Sequence, residues 1–125
     1  MGSSMKTDTI IKRFDNPDEV REFEKGKFEI VNIGGMSIGR ASYEPGWKWS
    51  EHVGQLARTD MCEVEHVGIV INGQSAVLMR DSKEIILRAG DIFYVASGHD
   101  SWVVGDEQYI SLHLLGANDY AALKK

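Results

Sequence analysis

Turn signals at short intervals are the feature that most constrains the fold of this chain. Glycine, often beside asparagine, aspartate or proline, separates runs of about four to eight residues that are rich in β-branched and aromatic side chains. Many short strands at this spacing are typical of a β sandwich or barrel. The turn signals are Gly34-Gly35, Pro45-Gly46, Asn72-Gly73, Ala89-Gly90-Asp91 and Gly105-Asp106.

Nine runs between these signals are predicted strands. The pair Asn72-Gly73 fits a type I′ hairpin, so the run after it is expected to pair back on the run before it. The tail, residues 117–125, is expected either to form a last short helix or to fray. The predicted strands are residues 28–33, 36–43, 47–53, 64–71, 76–80, 85–87, 92–95, 102–104 and 109–115.

A short N-terminal helix is predicted before the first of these strands. Asn16-Pro17 offers a cap and a proline at the first helical position, with acidic residues next to it. Val20 and Phe23 form a narrow apolar stripe, and Gly26 ends the segment.

Length, composition and charge restrict the class of protein. The 125 residues suffice for one domain, and 42% hydrophobic with 26% charged residues is typical of a globular protein. A net charge of −5 with dispersed basic residues argues against a nucleic-acid partner, and no apolar run has the length of a membrane span. The single Cys62 and the lack of a signal-peptide pattern favour the cytoplasm. Residues 1–4, before Met5, look like a tag remnant, which leaves residues 5–125 as the domain.

Two stretches resemble the motifs of the cupins. Gly46, five residues and His52, followed later by His66, six residues and Gly73, match the two ends of cupin motif 1. Residues 90–98 resemble the start of motif 2. The resemblance implies an all-β cupin barrel, a double-stranded β-helix or jelly roll, and a homodimer.

The chain departs from these motifs at the metal-binding positions. Gly54 occupies the position of the second histidine of motif 1, and His66 stands where the family has glutamate. In motif 2, Ala96 replaces proline, and Ser101 occupies the usual histidine position, two residues after His99. The ligand set of a standard cupin therefore cannot be transferred directly.

Histidines remain the candidate ligands of one divalent transition metal, with zinc, iron, nickel and manganese all open. We expect His52, His66 and His99 to converge in the barrel, and Cys62 to join them if one strand runs from Cys62 to Gly73. The alternative is that these are buried core or loop histidines. His113 is expected to be structural or exposed.

Aromatic residues flank the histidine segments. Trp49, Tyr94 and Trp102 are candidates for the wall of a small-ligand pocket, although barrels also fill their cores with aromatic side chains. The leading functional hypothesis is a metal-dependent enzyme, of the isomerase, cyclase or dioxygenase type, acting on a small polar or anionic organic substrate in the barrel mouth. The alternative is a non-catalytic ligand-binding or sensory cupin with a degenerate metal site.

Overall fold

The structure, a computed structural model, describes residues 8–81 and 83–121. Within them, nine strands form two antiparallel sheets, which confirms the predicted all-β jelly-roll class. The larger sheet has the order β1-β2-β3-β9-β4-β7, and the smaller has the order β6-β5-β8. The elements are β1 (Glu19–Phe23), β2 (Gly26–Ile33), β3 (Met36–Tyr43), α1 (Trp49–His52), α2 (Gly54–Ala57), β4 (His66–Asn72), β5 (Gln74–Met79), β6 (Glu84–Arg88), β7 (Ile92–Val95), β8 (His99–Val104) and β9 (Tyr109–Leu115).

The two best hairpin signals have different outcomes. Gly34-Gly35 joins β2 to β3 in a hairpin, with Ile33 opposite Met36. The predicted hairpin at Asn72-Gly73 is wrong, because β4 and β5 lie in different sheets. Gly73, at φ +75°, carries the chain across from one sheet to the other, and a Cβ there would collide with the backbone of Gln108.

Residues 19–23 form strand β1, so the helix predicted at the N-terminus is wrong; the short helices present are α1 and α2. The carboxylate of Asp18 accepts a hydrogen bond from the backbone N–H of Asn32. This bond holds the chain beside β2, and Asp18 does not cap a helix. Within β1, the half-buried residues are Arg21 and Phe23. Their spacing of two is that of a strand, in which alternate side chains share a face. The guanidinium of Arg21 donates to the carbonyl of Tyr120, a long-range contact that a local pattern cannot contain.

The segment predicted as a strand over residues 47–53 contains α1 instead. Trp49 and Val53, four residues apart, are both buried, as on one face of a helix. Asp100 on β8 accepts hydrogen bonds from the backbone N–H and the hydroxyl of Ser50, at 3.0 and 2.8 Å, and so satisfies the start of the helix.

The core fills the space between the sheets and is rich in aromatic side chains. Tyr43 stacks on Trp47 with ring centroids 3.7 Å apart, and Phe28 packs against Tyr120 at 4.7 Å. Tyr120 belongs to a turn over residues 117–121, and the rest of the predicted tail, residues 122–125, lies outside the described residues. Ala117, Tyr120 and Ala121 of this turn are buried in the core.

No helix among the described residues has the length and apolar character needed to cross a membrane.

Candidate metal centre

Three buried side chains from different parts of the chain form a compact group, here called the thiol–imidazole cluster: Cys62, His66 and His99. One ligand atom from each lies within 4.8 Å of the other two. The sulphur of Cys62 is 3.5 Å from Nε2 of His66, and the rings of His66 and His99 meet edge-on at 5.3 Å. The three residues are thus close enough to coordinate one ion after small side-chain movements.

Backbone pairing places Cys62 in the cluster. From the sequence, Cys62 was expected to join the histidines if one strand ran from this residue to Gly73, but β4 begins only at His66. Cys62 instead forms an isolated bridge with His99: its N–H donates to the carbonyl of His99, and its carbonyl accepts from Gly98, both at 2.7 Å. The thiol therefore approaches His66 from the side of β8.

His52 does not join the cluster. It was expected on the inner face of a strand, whereas it ends helix α1. Its Nδ1 accepts a hydrogen bond of 2.9 Å from the backbone N–H of Lys48, and its Nε2 lies 4.0 Å from a carboxylate oxygen of Glu24. Helix formation at Trp49–His52 is the physical reason for this different position.

His113, expected to be structural or exposed, is buried beside the cluster. It is buried on β9, its ring lies 5.1 Å from that of His66, and its Nε2 is 2.9 Å from the hydroxyl oxygen of Ser111. The available signal was the alternation of β9, which puts Tyr109, Ser111 and His113 on one face. Ile110, Leu112 and Leu114 alternate with these residues on the opposite face of the strand, so hydrophobicity alone does not identify the buried face.

Burial keeps the imidazoles of this region neutral. It lowers the pKa of His66 well below its usual value, with further lowering from the charges that His113 and His99 would carry. It also lowers the pKa of His113 to about 4. Burial lowers the pKa of His99 too, although the hydrogen bond to the carbonyl of Ala96 opposes this. Neutral imidazoles have the lone pair that a metal ion requires.

The thiol of Cys62 is only 1% exposed. Burial raises its pKa to about 12, so it carries its proton at neutral pH unless a cation displaces it. Two further polar atoms at the site, Nδ1 of His66 and Nδ1 of His113, are buried without a hydrogen-bond partner among the described residues.

Two cavities border the thiol–imidazole cluster, and a third lies beside the loop that precedes His99. The interior one, about 40 Å³, is lined by His66, His99 and His113 together with Ser101, Trp49 and other core residues. An outer cavity of about 510 Å³ touches Cys62 and is bordered by Glu63, Glu65 and Asp119. Another, of about 500 Å³, lies outside residues 96–98 and has Arg80 and Lys83 in its wall.

The aromatic pocket candidates lie in separate places. Trp49 is buried and borders both the interior cavity and the 510 Å³ cavity. Tyr94 lines the 500 Å³ cavity and donates its hydroxyl hydrogen to Glu65. Trp102 is half-buried on β8, with the ammonium of Lys48 5.3 Å from the centre of its ring.

No known family profile and no curated protein matches this sequence. Solved structures do match its fold. A protein of unknown function from Rhizobium leguminosarum bv. viciae 3841 has a TM-score of 0.61 at 21% identity, over 89% of this chain and 97% of the other. The oxalate decarboxylase of Lactobacillus farciminis, in a formate complex, has a TM-score of 0.56 at 21% identity. This chain covers 30% of that enzyme, which covers 78% of this chain.

A third similar structure is a putative ethanolamine utilization protein Q from Salmonella typhimurium LT2. Its TM-score is 0.52 at 12% identity, over 74% of this chain and 71% of the other. At these identities, the comparisons show the fold alone.

Proposed function

We propose that this chain, which has the cupin fold, binds one divalent transition-metal ion through Cys62, His66 and His99 and uses it to act on a small polar or anionic organic substrate. The observation that carries the proposal is the convergence of three buried ligand atoms within 4.8 Å. Three protein ligands leave at least one coordination position for water or substrate, as in catalytic metal sites.

The hydrogen bonds around the cluster favour coordination through particular atoms. Nδ1 of His99 lies 2.7 Å from the carbonyl oxygen of Ala96, to which it donates, so Nε2 keeps the lone pair. Nε2 of His66 is the atom nearest the thiol of Cys62. A thiolate with two imidazoles suits zinc, iron or nickel better than manganese, which prefers oxygen ligands.

Proton release is coupled to this binding. The imidazoles are already neutral, but Cys62, with a pKa of about 12, has to lose its proton to coordinate an ion. One thiolate and two neutral imidazoles leave a divalent ion with a net charge of about +1. That remaining charge favours an anionic ligand at the open position.

Cavity size and charge narrow the substrate class. The interior space of about 40 Å³ accommodates only a few non-hydrogen atoms beside the cluster. Arg80 and Lys83 border the 500 Å³ cavity beside the loop that precedes His99. Asp81 lies in the same wall and Arg80 also pairs with Glu63, so the lining of this cavity keeps one net positive charge, which favours this side for an approaching anion. Some of the similar solved structures are oxalate decarboxylases, one with formate bound, and small carboxylates are accordingly the first substrates to test.

The second candidate is a non-catalytic cupin that binds or senses a small ligand. The observation that favours it is the same narrow interior, because an organic substrate larger than a few atoms would need the walls to open. Bound metal would then hold a small ligand without turnover.

The decisive experiment is metal analysis of protein purified without chelator and then offered zinc, iron, nickel or cobalt. We expect about one ion per chain in the wild type and a thiolate-to-cobalt charge-transfer band in the cobalt form. Cys62→Ser should lose that band, whereas Ser50→Ala, which changes a hydroxyl outside the cluster, should keep it. A wild type with no bound metal after loading would refute the proposal.

Titration with formate and oxalate separates the two candidates. Both candidate functions predict that an anion bound at the open coordination position alters the cobalt spectrum. Consumption of a small carboxylate or keto acid by the loaded wild type, followed by NMR and lost in His66→Ala, would establish the enzyme; ligand binding without consumption would favour the sensor.

A further inference from the structure

The 510 Å³ cavity beside Cys62, here called the acidic cavity, has three carboxylates and no basic side chain among the described residues of its wall. The carboxylates belong to Glu63, Glu65 and Asp119, and all three residues are exposed. The rest of the lining is neutral. A concave wall with one sign of charge raises the local concentration of ions of the opposite sign.

Partners outside the wall neutralise only part of this charge. The guanidinium of Arg80 pairs with Glu63. Glu65 accepts a hydrogen bond from the hydroxyl of Tyr94, which brings no charge. Among the described residues, the ion pairs include neither Glu65 nor Asp119. Two negative charges therefore remain at the acidic cavity after the pairing of Glu63.

The basic residues nearby belong to other surfaces. Arg58 borders a separate cavity of about 390 Å³, with Asp60 in the same wall. Lys83 lies in the wall of the 500 Å³ cavity, which also contains Asp81. Without the pair of Arg80 and Glu63, which joins the walls of the two larger cavities, the 500 Å³ cavity is balanced and the acidic cavity is not. A cation is attracted to the acidic side.

The acidic cavity also reaches the thiol–imidazole cluster. Cys62, although only 1% exposed, lines it directly. Gly116 is in the same wall, and a Cβ there would lie 3.3 Å from Nδ1 of His66. That nitrogen has no hydrogen-bond partner among the described residues, and His66 is only 4% exposed. A buried orphaned nitrogen beside the wall is an independent sign that a polar species binds on this side.

We propose that the acidic cavity is the loading site for the metal ion, where Glu65 and Asp119 hold a hydrated divalent cation weakly before it passes to Cys62 and His66. This inference rests on the proposed metal centre, since it assigns the path by which that centre fills. Carboxylates suit hydrated ions, whereas thiolate and imidazole retain a transition metal. As the sulphur binds the ion, the thiol proton passes to solvent. An anionic substrate that approaches through the 500 Å³ cavity would not have to pass these carboxylates.

The rate of cobalt uptake by the reduced, chelator-treated full chain tests the route. In stopped flow at low cobalt concentration, the thiolate-to-cobalt band should grow with a second-order rate constant. Neutralising one charge about 10 Å from the ion should lower that constant roughly threefold at about 10 mM ionic strength. Glu65→Gln combined with Asp119→Asn should lower it about tenfold, and by less than about twofold at roughly 0.5 M salt.

A matched control removes the same two charges elsewhere. Asp106 and Glu107 are exposed and lie between β8 and β9, beyond the end of β8 opposite to His99. Asp106→Asn combined with Glu107→Gln should load within about twofold of the wild-type rate. Lys83→Gln tests entry from the other side, and it should also leave the rate unchanged. Lys124 and Lys125, which lie outside the described residues, are present in every variant.

Every variant should reach the same final band, because none of them changes a ligand of the cluster. Should the double variant fail to fold, as judged by circular dichroism, Glu65→Gln and Asp119→Asn alone should each slow loading about threefold. A folded variant at the wild-type rate, equal slowing in the control, or faster loading of Lys83→Gln would overturn the route and leave the metal centre standing. A wild type that never develops the band would refute both the metal centre and the route.

Discussion

The sulphur of Cys62 lies 3.5 Å from Nε2 of His66, and the same cysteine is paired through its backbone with His99. One short bridge thus brings together all three members of the thiol–imidazole cluster. His66 is on the larger sheet and His99 is on the smaller one, so the cluster spans the junction between the sheets. Metal binding there would link the two sheets as well as create a reactive centre.

Metal content should depend on His66 and not on His52. His66→Ala removes one of three proposed ligands and should reduce bound metal to a small fraction, because two ligands hold an ion poorly against water. His52→Ala, which changes a histidine on α1 outside the cluster, should keep about one ion per chain. The measurement is metal analysis after dialysis, with circular dichroism to verify that both variants fold. Equal metal content in the two variants would contradict the proposed ligand set.

The strands were predictable because turn residues mark their ends locally. Eight of the nine described strands, all except β1, overlap a strand predicted from these signals, and Gly34-Gly35 even identifies the correct hairpin. The error at Asn72-Gly73 has a different origin. The choice between pairing back and crossing to the other sheet depends on Gln108 and β9, far away in sequence.

The candidate site was predictable only in part. His66 and His99 were identified from their position in the cupin motifs, and the structure places them together. His52 was misplaced because Asp100 stabilises the start of α1 from another strand. His113 was undervalued because β9 is inverted, with polar residues inside and leucines outside.

Native Cys62 should resist alkylation. Its thiol is almost fully buried, so an alkylating reagent cannot reach the sulphur. Its pKa is about 12, so at pH 8 almost none of the reactive thiolate is present. Iodoacetamide should leave the folded, metal-free protein unmodified over hours and label it once in denaturant, as measured by intact mass. Rapid labelling of the folded protein would contradict the burial of this thiol. Metal-loaded protein should be equally resistant, because the thiolate would then be coordinated.

The hydroxyl pair in the core should contribute measurably to stability. Tyr43 donates a hydrogen bond to the hydroxyl of Tyr120 at 2.6 Å, and both groups are buried. Tyr120→Phe leaves that donor without its partner and should lower the free energy of unfolding by about 1–3 kcal/mol. Tyr94→Phe removes a hydroxyl that bonds Glu65 on the exposed face, and should change the free energy of unfolding by less than about 0.5 kcal/mol. Urea denaturation compares the two; similar losses would contradict the buried pairing.

The metal-free protein should lose stability in acid through His113. Burial lowers the pKa of this imidazole from 6.5 to about 4, so the folded state resists protonation that the unfolded chain accepts. The neutral form is present in both states above pH 6.5, where this group gives its full contribution. As the pH falls from about 6.5 to about 4, the unfolded state takes up the proton first, and up to about 3 kcal/mol of stability is lost.

A variant isolates this contribution from those of the carboxylates that titrate in the same range. His113→Gln keeps a polar side chain near Ser111 but cannot take up the proton. Urea denaturation of chelator-treated protein at several pH values should show a steeper loss of stability below pH 6.5 in the wild type than in His113→Gln. Since His66 also has a lowered pKa and remains in both proteins, the variant should retain part of the slope. Parallel curves for the two proteins would mean that His113 is accessible to protons in the folded state.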